Sequence, residues 1–144
     1  MVAGQSAGSE PRVRPAPRHF SWRRALGAFL LDAVLVLVFV IIGRRSHHES
    51  ITFSGVLTTY WPFLVGLAAG WLVTWAWKRP AAIIWPGVPV WLMTVALGML
   101  VRTASGQGIE PAFIVVAFIV LGFFLIGWRL VVLPYRRRRG ISRF

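Results

Sequence analysis

The chain has no cysteine, one lysine and four acids: Glu10, Asp32, Glu49 and Glu110. Without cysteine there is no disulfide, thiolate metal site or thiol nucleophile, and compartment cannot be read from redox chemistry. Acids this few and this scattered cannot form the paired carboxylates of general acid–base work. No serine sits in a G-x-S-x-G turn, and neither H-E-x-x-H nor a phosphate loop occurs. His47 and His48 are adjacent, so they do not share a helix face, and no metal site is expected. The expectation is a protein that is not an enzyme, with no cofactor.

What the chain does have is apolar surface and positive charge. Of its 144 residues 57% are hydrophobic, and the formal net charge is +12. A soluble domain of this size could not bury so much apolar surface. The cations sit at the ends of apolar runs and form no solvated basic face, which argues against nucleic acid as a partner.

Four apolar segments, about 25–43, 57–77, 82–102 and 112–133, approach the roughly 20 residues that span a bilayer as a helix. The expected fold is all-α: a compact bundle of four transmembrane helices over 21–133. A disordered basic arm, 1–20, precedes it and a basic tail, 134–144, follows. The first segment is too long for a signal-peptide core and has no A-x-A site after it, so it reads as a retained span. Thirteen Lys and Arg residues fall on the side of the two termini and three, Arg44, Arg45 and Arg102, on the other. By the positive-inside rule both termini are cytoplasmic, in a bacterial plasma membrane. The basic tail should attract anionic lipid headgroups.

Asp32 is the most informative residue. It is the only acid in the run Ala25 to Gly43, and a carboxylate there costs about 2.5–3.5 kcal/mol on insertion scales. It must face protein, water or a cation. Counted from the ends of the apolar runs, Asp32 lies about 10 Å deep and Arg129 about 6 Å deep, at ~1.5 Å per residue. Helix side chains lean toward the helix N-terminus. With helix 1 running outward and helix 4 inward, Asp32 and Arg129 lean toward each other and make the best intramembrane polar pair. The alternative for Arg129 is a snorkelling side chain that reaches the headgroups.

Other features have a packing reading beside a functional one. Gly66 and Gly70 form a GxxxG face in helix 2 that admits another backbone. Helix 4 is expected to pack through Phe118, Gly122, Ile126 and Arg129. Pro62 is expected in the first turn of helix 2. Pro86, Gly87 and Pro89 break the start of helix 3, either as the edge of a span that begins near Gly87 or as a binding element like the broken helices of transporters. Arg44, Arg45, His47 and Arg102 form an outer-face basic cluster, readable as an anion site or as cations at helix C-termini. Both hairpins return through a similar signature, Gly66/Gly70/Trp71 and Gly122/Gly127/Trp128, a faint internal echo.

The segments Asp32…Gly43-Arg44-Arg45-Ser46-His47, Trp61-Pro62-Phe63…Gly66, Gly87-Val-Pro-Val-Trp91…Gly98-Met99-Leu-Val-Arg102 and Gly127-Trp128-Arg129 resemble a family of small integral membrane proteins of unknown function. It is found in actinobacteria and some archaea. The resemblance spans about residues 25–130 and implies four helices in the plasma membrane. It brings no activity and no functional residue.

Two functions are compatible with these residues. One is a structural or accessory membrane protein, whose glycine face and charge pair serve assembly with a second copy or a partner membrane protein. The other is a small proton- or ion-coupled carrier or channel-like subunit using Asp32 and the helix 3 break.

Overall fold

The structure, a computed structural model, describes Arg14 and residues 20–138. The described residues form four α-helices and no strand: α1 (Trp22–Ser46), α2 (Phe53–Thr74), α3 (Val88–Ala104) and α4 (Pro111–Arg138). All four, with α3 counted from Ile83, are long and apolar enough to cross a membrane. Each helix packs on its neighbours in sequence, and α4 closes on α1. The basic arm lies almost wholly, and the tail from 139 on, outside the described residues.

The core is apolar and the outside is more so than water would tolerate. Val36, Phe63, Leu67, Val90, Leu121 and Leu125 are fully buried. Phe123 and Val131 are each 74% exposed. Large aliphatic and aromatic side chains open on all four helices are the pattern of a bundle solvated by lipid.

Tight backbone approach joins α2 to α3. A Cβ on Gly66 would lie 2.8 Å from the Thr94 carbonyl oxygen, and one on Gly70 would lie 3.1 Å from Val90 Cα. The GxxxG face is therefore occupied within the chain. Gly122 faces the Trp91 ring, where a Cβ would come within 2.8 Å. The buried face of α4 is Ala117, Leu121, Leu125 and Arg129, one residue away from the expected Phe118, Gly122 and Ile126. Trp91 takes the neighbouring stripe, its ring 4.4 Å from that of Phe118 at a tilt of 47°, and it donates to the Phe118 carbonyl at 3.0 Å.

The helix ends differ from the apolar runs for local reasons. Helix α2 starts at Phe53, four residues early, because Thr52 caps it by accepting from the Gly55 N–H at 3.1 Å. This puts Pro62 deep inside the helix, where it lacks the N–H that would bond the Thr58 carbonyl. It is not in the first turn. Helix α2 ends at Thr74 because Trp75 turns left-handed, φ 55°. A short 3-10 turn, Ala76–Lys78, follows.

The third span is broken where the prolines fall. Trp85 is extended (φ −136°, ψ 115°), and the Gly87 N–H reaches back five residues to the Ala82 carbonyl. The regular helix begins at Val88 with Pro89 in its first turn, where a missing N–H leaves nothing unbonded. At the other end, α4 continues through Pro134 to Arg138 and does not stop at 133. One missing N–H near a helix end does not end the helix.

Candidate functional site

Asp32 and Arg129 meet in the interior of the bundle, toward the end where α2 stops. Asp32 lies on the face of α1 that buries Ala25, Val36, Phe39 and Val40. Arg129 closes the four-residue stripe of α4. Both side chains are 0% exposed. Asp32 is ten residues from the start of α1 and Arg129 nine from the end of α4. At ~1.5 Å per residue they sit at nearly equal depth, about 14–15 Å from those ends. Counted from the apolar runs the figures stay at about 10 and 6 Å; the helices are longer because α1 adds Trp22 to Arg24 and α4 adds Pro134 to Arg138 beyond those runs.

The pair is bidentate. Arg129 Nη1 donates to Asp32 Oδ1 at 2.9 Å, and Nη2 to Oδ2 at 2.8 Å. Two indoles complete the shell: Trp71 Nε1 donates to Oδ2 at 2.9 Å and Trp128 Nε1 to Oδ1 at 2.7 Å. A carboxylate has about four lone-pair sites, and all four receive a donor. Arg129 is nearly as well placed. Its Nε donates to the Pro80 carbonyl at 3.1 Å, and Nη1 also donates to the Leu125 carbonyl. Its guanidinium lies over the Trp128 ring, 4.6 Å from the centroid. Phe29 holds the Trp71 ring edge-on at 5.3 Å.

This centre ties together α1, α2, α4 and the connection before α3. Its charges cancel, and every oxygen of the acid is occupied. Replacing a buried pair of this kind by well-packed apolar residues is often neutral or even stabilising, because desolvation offsets the attraction, but losing one partner alone costs about 3–5 kcal/mol. Chemically it acts as a clamp. To take up a proton or cation, Asp32 would first have to release Arg129 or an indole.

The helix break belongs to the same centre. Pro86 and Gly87 are buried, and a Cβ on Gly87 would lie 3.1 Å from Arg129 Cδ. The connection thus wraps the arginine, with Pro80 supplying an acceptor. Pro89 is partly buried and lies in the first turn of α3.

The basic residues at the opposite end of the bundle do not all converge. Arg44, His47 and Arg102 line one cavity, whereas Arg45 is exposed and lies outside it. Arg44 is ion-paired with Glu49 at 2.7 Å.

Trp71, Trp128 as a donor, and the Pro80 carbonyl are the members of the centre that the sequence reading did not assign. The echo of Gly70-Trp71 and Gly127-Trp128 was a usable signal for the indoles, since an indole N–H in an apolar span needs an acceptor. A backbone carbonyl leaves no mark in the sequence.

A four-helix apolar bundle clamped by a buried, saturated acid–arginine pair is the class of protein that fold and site define. The chain belongs to the family described as Protein of unknown function (DUF3054), whose model matches residues 29–132 and so includes both Asp32 and Arg129. No curated protein and no solved structure matches it.

Proposed function

We propose that the protein is a structural or accessory component of a bacterial plasma membrane, multi-pass, with both termini cytoplasmic and no enzymatic activity of its own. The observation that carries this reading is the filled carboxylate. An intramembrane acid that moves protons or cations needs an open lone pair and a path to water. Asp32 has four donors and no exposed surface. The break before α3, the other element a carrier could use, is packed against Arg129. Both features support a rigid bundle whose outward apolar surface meets lipid and a second copy or a partner membrane protein. The basic C-terminal end would hold anionic headgroups at the cytoplasmic face.

The test is proton flux. Purified protein reconstituted in liposomes with an internal pH-sensitive dye should dissipate an imposed pH gradient no faster than protein-free liposomes. Protein-dependent flux that disappears in Asp32→Asn would overturn the accessory reading and establish the carrier.

A further inference from the structure

The far end of the bundle, where residues 47–52 join α1 to α2 and 105–110 join α3 to α4, contains a cavity of about 420 Å³. It is separate from the Asp32 centre, and nothing in the clamp requires it. Its floor is apolar, with Phe39 and Phe113 on adjoining helices 6.2 Å apart, and its wall carries Arg44 and Arg102.

The two arginines are not equivalent. Arg44 is fully committed: beyond Glu49, it donates to Thr59 Oγ1 at 3.0 Å and, from Nε and Nη2, to the Ser50 carbonyl at 3.3 and 2.9 Å. Arg102 has no carboxylate within ion-pair distance among the described residues. Its Nη1 donates to Gln107 Oε1 at 2.9 Å, a neutral acceptor. Its Nη2 makes only a long contact, 3.5 Å, to the Gly108 carbonyl. Its Nε is buried and has no acceptor. One face of the guanidinium lies over the Phe113 ring, 4.9 Å from the centroid. A half-buried guanidinium with unfilled donors beside a cavity is a ready partner for a planar or tetrahedral oxyanion.

We propose that this cavity binds a monoanionic oxyanion, a carboxylate or a phosphodiester, seated on Arg102 with its organic part against Phe39 and Phe113. His47 on the same wall can supply a further donor. Glu49 is paired with Arg44 but its charge still reaches Arg102, and Glu110 is exposed at the rim, so the site favours one negative charge over two. A phosphodiester can come from a lipid headgroup and a carboxylate from a soluble solute; the chemistry at Arg102 is shared.

The experiment uses the full chain in neutral detergent. Calorimetry measures binding of benzoate and of dimethyl phosphate. Native mass spectrometry compares retention of phosphatidylglycerol with phosphatidylcholine. Three variants are run with the wild type. Arg102→Gln removes the charge. Gly43→Leu fills the cavity without changing charge, since a Cβ on Gly43 meets nothing within 4 Å. Arg45→Gln removes an exposed charge next door. The expected result is binding of at least one probe, weakened tenfold or more by Arg102→Gln and by Gly43→Leu and unchanged by Arg45→Gln. Selective retention of phosphatidylglycerol identifies a lipid source; benzoate binding without it identifies a solute. The proposal is overturned if no probe binds, if Gly43→Leu, folded by circular dichroism, binds as the wild type does, or if Arg45→Gln weakens binding as much as Arg102→Gln.

Discussion

Arg129 runs past Gly87 at a distance that leaves no room for a side chain there. A Cβ on Gly87 would lie 3.1 Å from Arg129 Cδ and 2.8 Å from the Ala82 carbonyl oxygen. The glycine in the helix break thus serves the buried arginine. Gly87→Ala should destabilise the bundle by about 1–3 kcal/mol, the usual cost of overpacking. Thermal unfolding in mild detergent measures it. The penalty should shrink when Arg129→Ala is already present, because truncation at Cβ removes the contact with Arg129 Cδ, one of the two close contacts.

The two indoles make a second prediction. Trp71→Phe and Trp128→Phe each remove one donor from a buried carboxylate and keep an aromatic ring. Each should cost about 1–3 kcal/mol, the cost of leaving a buried acceptor unsatisfied. Trp71 should be the more costly, because it is 5% exposed and water cannot replace it, whereas Trp128 is only partly buried. The same unfolding measurement decides the order.

The absence of cysteine makes the topology directly testable. Ser46→Cys and Ser105→Cys place exposed thiols at the end of α1 and after α3, and Arg79→Cys places one in the connection before the third span. With both termini inside, a membrane-impermeant maleimide should label the first two in intact cells and the third only after permeabilisation. The reverse pattern would invert the proposed orientation.

Much of the fold was legible in the sequence, because an apolar run of bilayer length has few other uses. The ends were less so. Thr52 lies five residues before the apolar run that begins at 57, and its hydroxyl caps α2 there, which moves Pro62 from a first turn to an interior position. Trp75 ends the same helix by a left-handed backbone that a non-glycine residue does not advertise. Phe118 and Ile126 fell on the wrong stripe of α4 because a one-residue rotation is invisible when nearly every position is apolar. Asp32 stood out as the lone acid of its run, and the opposite lean of side chains on antiparallel helices pointed to Arg129. The rest of the centre depended on tertiary structure. Trp71 and Trp128 come from different hairpins, and Pro80 contributes only its backbone.

The central claim is that Asp32 and Arg129 act as one clamp. A double-mutant cycle on Asp32→Asn and Arg129→Gln, followed by thermal unfolding in mild detergent, tests it most directly. Each single change should cost about 3–5 kcal/mol by leaving a buried charge without its partner. The double change should cost less than the sum of the two by at least ~1 kcal/mol, the range expected for residues in contact. If the two effects add to within about 0.5 kcal/mol, or if Asp32→Asn stabilises the protein, the clamp is wrong and Asp32 is an unpaired intramembrane acid.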